Sequence, residues 1–308
     1  MRRRVVLLGN GFDINIGLPT AYRDFINSDF CRLLAVQRGN YVTNRIVNNY
    51  RLKNWIDIEE ELKTLAIEMA GSGFDIISQI KNEYGLLTDS LSQYLMSISN
   101  GDVIKLNERS LAANFLRLLS RFPHDFEIFS FNYTDLGILC KKLNLNEKIP
   151  YHHVHGSLKD HNIILGFEDG VDTRGDFSYM IKSFHPAYSS HHIRQVLSSA
   201  EEVIFFGMSL GSTDYHYFSQ FFNEKSSPGL DSDKSVKISF VTASNQSHID
   251  ILEQLKQMNS SNTNLLFDQN EVEFFYANED NTIARFFYFI RRLELESEAF
   301  RILNDYNM

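Results

Sequence analysis

The fold is decided by the stretch "RRRVVLLGNGFDINIGLPTAYRDF", residues 2–25 of the chain. An apolar run over residues 5–8 ends at Gly9, and the segment 9–19 holds three glycines and a proline. This pattern predicts a buried β-strand followed by a loop, because glycine permits positive φ and a close approach of the backbone to a ligand. The loop either binds a ligand such as a nucleotide or is only a tight turn between a strand and a helix. The dinucleotide pattern GxGxxG is incomplete, since Ile14 occupies the position of its third glycine.

Six further apolar runs, rich in β-branched and aromatic residues, follow along the chain. Most of them are apolar on both faces, as is typical of strands buried within a parallel sheet. Helical patterns separate several of these runs, for example "DLGILCKKLN" and "SHIDILEQLKQM". The alternation predicts an α/β fold with a doubly wound, mostly parallel sheet. The six predicted strands cover residues 127–131, 149–154, 162–167, 202–207, 236–241 and 271–276.

Residues 21 to about 122 lack this alternation of strands and helices. Apolar residues there recur every three or four positions, as in "LAANFLRLLSRF", and no run is convincing as a strand. The segment 21–122 is therefore predicted to be a helical subdomain inserted after the first strand and its loop. Residues 1–308 are predicted to form a single α/β domain around it, with one or two amphipathic helices at 281–303 and a surface loop at 223–235.

The composition narrows the classes of function. The chain has 308 residues and a formal net charge of −9, which disfavours a nucleic-acid partner because phosphate backbones bind to basic surfaces. The two cysteines, Cys31 and Cys140, are isolated, so neither a disulfide framework nor a structural zinc site is expected. No apolar run has the length of a signal peptide or of a transmembrane helix. We therefore expect a cytoplasmic protein that has no membrane partner and binds no metal.

Polar residues follow the second predicted strand in "FSFNYTD", residues 129–135. They lie at the carboxyl end of that strand, and open α/β sheets bind their ligands outside these ends. Thr134 or Asp135 can instead cap the helix that follows. Capping does not explain Asn132, which is therefore a candidate ligand-binding residue.

Three histidines stand close together in "YHHVHGSL", residues 151–158. Successive residues of a strand face opposite sides, and no cysteine or carboxylate is close enough in sequence to complete a metal site. His155 directly precedes Gly156 at the end of the predicted strand, where a side chain with a near-neutral pKa suits a general base. His152 and His153 are equally well explained as core histidines.

A second strand–glycine–helix pattern, "FFGMSLGSTDYHYF", covers residues 205–218. Its strand ends at Gly207, and either Ser212 or Asp214 can begin the next helix. Gly207, Ser209 and the nearby backbone N–H groups are suited to contact a nucleotide. The pattern thus predicts a second wall of a ligand site.

The segment "GMSLG" is also a literal match to GxSxG, the nucleophile elbow of serine hydrolases. This alternative makes Ser209 the nucleophile and requires a histidine downstream of it. Only His216 and His248 follow Ser209, and neither ends a predicted strand as that fold requires. The serine hydrolase alternative is disfavoured on this ground but stays open.

An acidic segment, "NWIDIEEEL", covers residues 54–62 and contains the single tryptophan, Trp55. Asp57 and Glu61 are four residues apart and are expected to share one face of a helix. The segment is either a solvated acidic surface or a source of carboxylates directed at a bound sugar. For the second interpretation the candidate side chains are Asp57, Glu60 and Glu61.

Taken in order, these stretches resemble the bacterial abortive-infection AbiH family. The resemblance rests on "LLGNGFDINIGLPTAYRDF", "WIDIEEEL", "FNYTD", "HVHGSL…IILGFED" and "FFGMSLGSTD". That family is similar in turn to the sirtuin-like NAD-binding fold, so the resemblance implies a Rossmann-like sheet that binds NAD. In that fold the first glycine loop covers the pyrophosphate, an asparagine and a histidine flank the nicotinamide ribose, and a G-x-S-L turn closes the cofactor site.

The resemblance also implies roles for individual residues. Asn132 and His155 become the residues beside the ribose. Asp13 is the one charged residue of the first loop, so we expect it to face the ribose and to act with Asn132 and His155 in catalysis. The resemblance implies that Gly9, Gly11, Gly207, Ser209 and Leu210 contact the nucleotide. The other nucleotide-binding candidates lie in the same motifs and are Asn10, Phe12, Thr134, Gly156 and Asp214.

The function that the resemblance implies is the consumption of NAD during phage infection. Sirtuin deacetylases carry a four-cysteine zinc module, which this sequence lacks, so protein deacetylation is not expected. NAD is instead expected as the substrate of a glycohydrolase that yields nicotinamide and ADP-ribose. The alternatives are another nucleotide hydrolase, an ADP-ribosyltransferase, or a non-catalytic sensor of NAD or ADP-ribose. Such an activity must be restrained, which implies a homo-oligomer, a partner defence protein or a phage-derived trigger.

Overall fold

A computed structural model describes residues 3–36, 40–53, 57–100, 104–211, 213–229 and 234–306 of the chain. Within these residues six parallel strands form one sheet in the order β3-β2-β1-β4-β5-β6. This order is that of the doubly wound Rossmann fold, and its direction reverses between β1 and β4. The strands are β1 (Arg4–Leu8), β2 (Phe126–Ser130), β3 (His152–His153), β4 (Glu202–Phe206), β5 (Lys237–Thr242) and β6 (Glu271–Tyr276).

The first strand lies at the centre of the sheet, between β2 and β4, and all five of its residues are buried. Val5 and Leu7 pack in a hydrophobic cluster on one face, and Val6 and Leu8 pack in a second cluster on the other. A strand that is covered on both faces needs apolar residues at successive positions, which explains the run over residues 5–8. The predicted parallel α/β sheet is confirmed.

Helices cover both faces of the sheet. One cluster includes residues of helices α1, α7, α8 and α13, and the other includes residues of helices α9 to α12. The helices are α1 (Asn10–Ile16), α2 (Tyr22–Ile26), α3 (Asp29–Val36), α4 (Tyr41–Lys53), α5 (Ile58–Met69), α6 (Phe74–Asn100), α7 (Leu111–Arg121), α8 (Leu136–Lys142), α9 (Ile193–Ser198), α10 (Tyr215–Lys225), α11 (Asn245–Met258), α12 (Thr263–Gln269) and α13 (Asp280–Tyr306).

The described elements between residues 21 and 122 are all helices, as the spacing of apolar residues indicated. Residues of α2 to α6 pack with residues 158–181 in a third hydrophobic cluster. Helix α7, in contrast, packs on the sheet. The division into one domain with an inserted subdomain remains a prediction.

Residues 162–167 are not a strand of the sheet, contrary to the prediction. Ile163, Leu165 and Phe167 are buried in the third hydrophobic cluster. Phe167 forms only an isolated β-bridge with Ile181. The apolar character of this segment comes from packing against helices, which a sequence pattern does not distinguish from packing within a sheet.

The segment after Gly9 is a helix and not the predicted loop. Helix α1 begins at Asn10, directly after Gly9, and ends at Ile16, which is followed by Gly17 with a φ of 102°. A glycine in this left-handed conformation commonly terminates a helix. At the other end of the chain, the one or two predicted amphipathic helices are the single helix α13.

Some predictions fall on residues that the structure does not describe. Trp55, Ser212 and residues 230–233 of the predicted surface loop lie outside the described residues. Cys31 and Cys140 are buried and are not joined in a disulfide. Within the described part of the chain, none of the helices combines the length and the apolar composition that crossing a bilayer requires.

Candidate functional site

A cavity of about 530 Å³ opens where β1, β2 and β4 end at their carboxyl termini. The strand order reverses at this place, and open α/β sheets bind their ligands there. The volume lies within the range of about 300–1,000 Å³ that is usual for small-molecule sites. Segments that follow β1 to β4 form one side of the lining, and helices α2, α5 and α6 contribute to the rest. Apart from tyrosines, its polar lining residues are Asn10, Asp13, Thr20, Asp57, Glu59, Asn132, Thr134, His155, Ser209, Thr213, Asp214 and Ser247.

Three glycines bring two strand–helix turns into direct contact at the cavity. The backbone N–H of Gly9 donates to Phe206 O at 2.9 Å, and that of Gly11 donates to Gly207 O at 2.9 Å. A Cβ atom at Gly11 would lie 2.7 Å from the Cα of Gly207, and Gly207 itself has a φ of 64°. Both conditions require glycine. Because both N–H groups are already bonded, neither Gly9 nor Gly11 offers a donor to a phosphate.

Asp13 binds two other predicted site residues. It lies on the first turn of α1 and is 1% exposed. Asn132 Nδ2 donates to Asp13 Oδ1 at 2.9 Å and to Gly9 O at 3.0 Å, and Thr134 Oγ1 donates to Asp13 Oδ2 at 2.6 Å. Both amide protons of Asn132 are thus used, so its amide oxygen is the group left for a ligand. Burial raises the pKa of Asp13 to about 7, although both hydrogen bonds act to lower it.

His155 belongs to a buried cluster of ionisable side chains. Its Nε2 lies 3.0 Å from Asp214 Oδ1 and 3.4 Å from Lys182 Nζ. The Lys182 ammonium donates to Glu59 Oε2 and Asp214 Oδ1, both at 3.0 Å, and to Thr213 O at 3.3 Å. Its three protons are thereby used, so Nε2 of His155 carries its own proton and donates it to Asp214. The other ring nitrogen, Nδ1, has no hydrogen-bond partner among the described residues and is left for a ligand.

We call Glu59, His155, Lys182 and Asp214 the buried tetrad. Burial and the Lys182 charge lower the pKa of His155 below 6.5, so its imidazole is neutral at pH 7. Burial alone would raise the pKa of Asp214, but Lys182 and His155 outweigh it and hold this pKa below its usual value. One ammonium is shared by two carboxylates, and burial raises the pKa of Glu59 to about 7. The tetrad therefore holds an ionised Asp214 against a neutral imidazole.

The acidic segment is placed differently from the prediction. Asp57 is the N-cap of α5, where its Oδ1 accepts from the backbone N–H of Glu59 at 2.9 Å, and it lines the cavity. It therefore lies outside the helix and shares no helical face with Glu61. Glu60 pairs with Lys63 at 3.1 Å, and Glu61 bonds to side chains of α4. Neither Glu60 nor Glu61 lines the cavity, so the carboxylate that α5 directs into it is Glu59.

The structure brings some of the other predicted nucleotide-binding residues to the cavity and leaves others out. Asn10 and Ser209 line it. Phe12 and Leu210 are core residues, 0% and 2% exposed, and do not line it. Gly156 has a φ of 74° and packs against Asn162, outside the lining. The packing of Phe12, Leu210 and Gly156 accounts for them without a ligand.

The serine hydrolase alternative lacks its histidine. His216 Nδ1 pairs with Glu168 Oε2 at 2.9 Å, and His248 Nδ1 bonds to the Tyr276 hydroxyl at 2.7 Å. Neither histidine is hydrogen-bonded to Ser209 among the contacts of the described residues. A nucleophile elbow needs a base within hydrogen-bond reach of the serine. Within the described part of the chain, neither histidine is therefore placed to activate Ser209.

The remaining two histidines of "YHHVHGSL" are not buried in the core. His152 is exposed and stacks on Phe129, and His153 is half-buried. Nδ1 of His153 donates to the backbone carbonyl of Asn132 at 3.0 Å, which helps to fix that residue. Asp135 caps α8 by accepting from Gly137 N at 2.6 Å, as one alternative proposed. Among the described residues, no group of three or more histidine, cysteine or acidic side chains is arranged to hold a metal.

Two functional candidates, Glu59 and Lys182, were not singled out from the sequence. Leu62 and Ala66, three and seven residues after Glu59, are both 0% exposed, so Glu59 lies on the apolar face of α5. This spacing in the sequence could have indicated that Glu59 points into the protein. Lys182 follows the buried Met180 and Ile181. A lysine inside an apolar segment is a weak signal, because lysines usually extend their charged end to solvent.

Comparison with known proteins bears on the whole of this region. The model of a protein family described as "Bacteriophage abortive infection AbiH" matches residues 5–231, which is almost three quarters of the chain. The match runs from the second residue of β1 through β4, and it includes every residue of the buried tetrad and every lining residue of the cavity except Ser247. No curated protein matches the chain significantly.

Proposed function

The chain belongs to the bacteriophage abortive infection AbiH family, and from this membership we propose that it defends against phage by hydrolysing NAD. In the proposed reaction NAD and water give nicotinamide, ADP-ribose and a proton. The observation that carries the proposal is a pair of open acceptors, the Asn132 amide oxygen and His155 Nδ1, in a carboxylate-lined cavity where the strand order reverses.

A dinucleotide is supported as the substrate by the fold around the cavity. The strand order is that of dinucleotide-binding Rossmann sheets, and the cavity lies where such sheets hold the cofactor. Besides the open acceptors, the neutral side chains of Asn10, Thr20, Ser209 and Ser247 line it. These side chains suit the adenosine and pyrophosphate parts of NAD, since Gly9 and Gly11 have no free donors.

Cleavage at the nicotinamide–ribose bond is supported by the charge of the lining. Four carboxyl groups line the cavity, Asp13, Asp57, Glu59 and Asp214, and the charge set against them is the single Lys182 ammonium that Glu59 and Asp214 share. The described lining residues themselves include no lysine or arginine. Negative groups in a water-poor site stabilise positive charge. The nicotinamide ring of NAD is cationic, and its departure leaves a ribose with oxocarbenium character. Phosphoryl chemistry would instead require a cationic lining to stabilise its charge.

The buried tetrad supplies the base for the proposed reaction. Asp214 accepts a hydrogen bond from the Nε2–H of His155, which leaves Nδ1 as the basic nitrogen. Nδ1 removes a proton from the water that attacks C1 of the ribose, the bond from C1 to nicotinamide breaks, and the electron pair leaves with nicotinamide. The proton on His155 is then lost to solvent. Asp214 stabilises the imidazolium between these two events.

Asn132 positions the ribose, and Asp13 positions Asn132. The amide oxygen of Asn132 accepts a hydrogen bond from a ribose hydroxyl or from the attacking water. Asp13 accepts hydrogen bonds from both Asn132 and Thr134, and the bond from Asn132 fixes the direction of its amide. Asp13 was expected to face the ribose itself, and in the proposed mechanism it acts on the ribose through Asn132.

The proposal is tested by incubating the purified protein with NAD and following nicotinamide and ADP-ribose by chromatography. We expect both products in equal amounts. His155→Ala should lower the rate on the order of 10²–10⁴-fold, because it removes the base. Asn132→Ala should lower it on the order of 10²-fold, because it removes a transition-state hydrogen bond. Ser209→Ala removes a lining hydroxyl but no base, so it should raise KM and retain most of kcat.

Other results of the same assay identify the alternatives. Tight binding of NAD without turnover, with and without phage lysate, would contradict hydrolysis and indicate a sensor. Nicotinamide without an equal amount of free ADP-ribose would indicate transfer of ADP-ribose to another group. Loss of activity in Ser209→Ala with retention in His155→Ala would overturn the assigned base and favour a serine hydrolase.

A further inference from the structure

We propose that Lys182 and Glu59 are a positioning pair, which holds Asp214 and His155 in their observed geometry and makes that geometry depend on the docking of helix α5. The reaction that His155 performs rests on the proposed function, whereas the coupling between α5 and the histidine does not. Lys182 contacts no reacting atom in this account and acts through its neighbours.

The tetrad joins four separate segments of the chain. Glu59 comes from the first turn of α5, and His155 follows β3. Lys182 begins a short 3₁₀ turn, Lys182–Phe184, and Asp214 directly precedes α10. Nζ of Lys182 lies within 3.4 Å of the three others. Lys182 is therefore the hub through which α5 contacts the two residues of the sheet edge.

The geometry of this hub is tightly determined. Lys182 is 1% exposed, and a buried ammonium is strongly unfavourable unless every proton has an acceptor. The three acceptors are Glu59 Oε2, Asp214 Oδ1 and the carbonyl of Thr213. Loss of Glu59 or a shift of α5 would leave one proton of the ammonium without a partner. The ammonium would then move, and Asp214 and His155 would lose their shared contact.

Lys182 also controls the charge state of His155. The ionisable groups that face His155 are Asp214 and Lys182 in direct contact, Glu59 beyond Lys182, and His216 on α10. Lys182 and His216 disfavour a positive imidazole, whereas Asp214 favours it. Removal of the ammonium leaves Asp214 as the dominant neighbour. Protonation of His155 should then become easier, which would weaken it as a base at neutral pH.

The test is an NMR titration of the His155 ring, which needs no substrate. The chain has ten histidines, and the signal of His155 is identified by its absence from the spectrum of His155→Gln. In Lys182→Met we expect the midpoint of the His155 titration to move to higher pH by about one pH unit or more. In Lys182→Gln, a milder change that keeps two N–H donors, the same direction is expected. Lys182→Arg keeps the charge and should stay close to wild type.

Lys225→Met is the matched control, because Lys225 is another buried lysine of the chain. It is 7% exposed, lies at the end of α10 and donates to Lys234 O at 2.8 Å. Its removal should leave the His155 titration unchanged. An unchanged midpoint in Lys182→Met and Lys182→Gln would overturn the proposal. Should Lys182→Met fail to fold, Lys182→Gln against Lys182→Arg decides by the same criterion.

A second measurement tests the coupling to α5. Hydrogen–deuterium exchange, read by mass spectrometry over Ile58–Met69, should be faster in Lys182→Met and in Glu59→Leu than in wild type or Lys225→Met. Equal protection in all four proteins would contradict the coupling. A shifted titration with no NAD cleavage by wild type would refute the proposed function and leave the positioning pair intact. NAD cleavage by wild type with an unshifted titration would support the proposed function and refute the positioning pair.

Discussion

At the scale of single residues, the site combines buried carboxylates with side chains that have one hydrogen-bonding atom left. Both carboxyl oxygens of Asp13 accept hydrogen bonds, one from Asn132 and one from Thr134, so Asp13 does not contact a ligand directly. Asn132 and His155 each keep one open acceptor. A carboxylate that orients an amide is a means of fixing a hydrogen-bond acceptor in space before the ligand arrives. This arrangement requires the carboxyl group of Asp13 to be buried, which disfavours its ionised form.

Asp13→Asn should change how stability depends on pH. The pKa of Asp13 is about 7 in the folded protein, against 3.8 for an ordinary aspartate, so the folded state retains the proton more tightly. Stability from this residue is complete below pH 4 and is lost as pH rises to 7, on the order of 4 kcal/mol. Asparagine has no such proton. We therefore expect the unfolding free energy of wild type, relative to Asp13→Asn, to fall between pH 4 and 7 and then level off.

Urea denaturation of both proteins at several pH values measures this difference. Glu59 has a pKa raised in the same direction, but it is present in both proteins and cancels. Stability curves that run parallel over the whole range would contradict the ionisation assigned to Asp13.

At the scale of secondary-structure elements, helix α5 is the piece that completes the site. Its N-cap, Asp57, and its second residue, Glu59, both line the cavity. Asp57 accepts from the backbone N–H groups of Glu59 and Glu60, which fixes where the helix begins. The cap thereby sets the position of the carboxylate that binds Lys182.

Asp57→Ala and Asp57→Asn should separate capping from charge. Removal of an N-cap costs about 1 kcal/mol, whereas asparagine caps as well as aspartate, so only the alanine variant should lose stability. Asp135→Ala is the matched control, since it removes the N-cap of α8 without touching the cavity lining. Urea denaturation reports the stabilities. An asparagine variant as unstable as the alanine variant would show that the carboxylate matters for more than the cap.

The parallel sheet and its buried first strand were predictable because a strand covered on both faces is apolar throughout. The same apolar pattern gave a wrong strand prediction at residues 162–167, where burial against helices produces an equally apolar run. The placement of Asn132 and His155 at the cavity was predictable, because each follows a strand at the edge where ligands bind. Lys182 was not predicted as a site residue. It binds Glu59 and Asp214, which lie 123 and 32 positions away in the sequence, and no local sequence pattern indicates such contacts. Asp57 and Glu61 were expected to share one face of a helix. Helix α5 begins only at Ile58, so Asp57 precedes the helix and Glu59 is the carboxylate of α5 that lines the cavity.

At the scale of the whole molecule, a Rossmann-ordered sheet carries a cavity whose lining also comes from the helices between β1 and β2. Membership of the AbiH family gives the chain a role in phage abortive infection. An enzyme that consumes NAD would connect this role to the cavity, since loss of the dinucleotide stops metabolism in the infected cell. The acidic lining and the buried tetrad are what the proposed chemistry requires.

Cells that carry the protein should lose NAD when phage infects them. We expect cells with wild type to deplete NAD and release few phage, and cells with His155→Gln to keep NAD and support phage growth. Lys225→Met serves as the control variant that keeps the depletion. NAD measured in extracts before and during infection checks this. Phage resistance with constant NAD would separate the defence role from the proposed activity.

The most direct test of the central claim is the pH dependence of kcat/KM for nicotinamide release from NAD by the purified protein. His155 must be neutral to act as a base, and burial and Lys182 hold its pKa below 6.5. We therefore expect a rate that is constant near pH 7 and falls on acidification with a midpoint below pH 6.5, and we expect His155→Gln to lack most of this rate. No nicotinamide at any pH, or an acid limb that is unchanged in His155→Gln, would contradict the account.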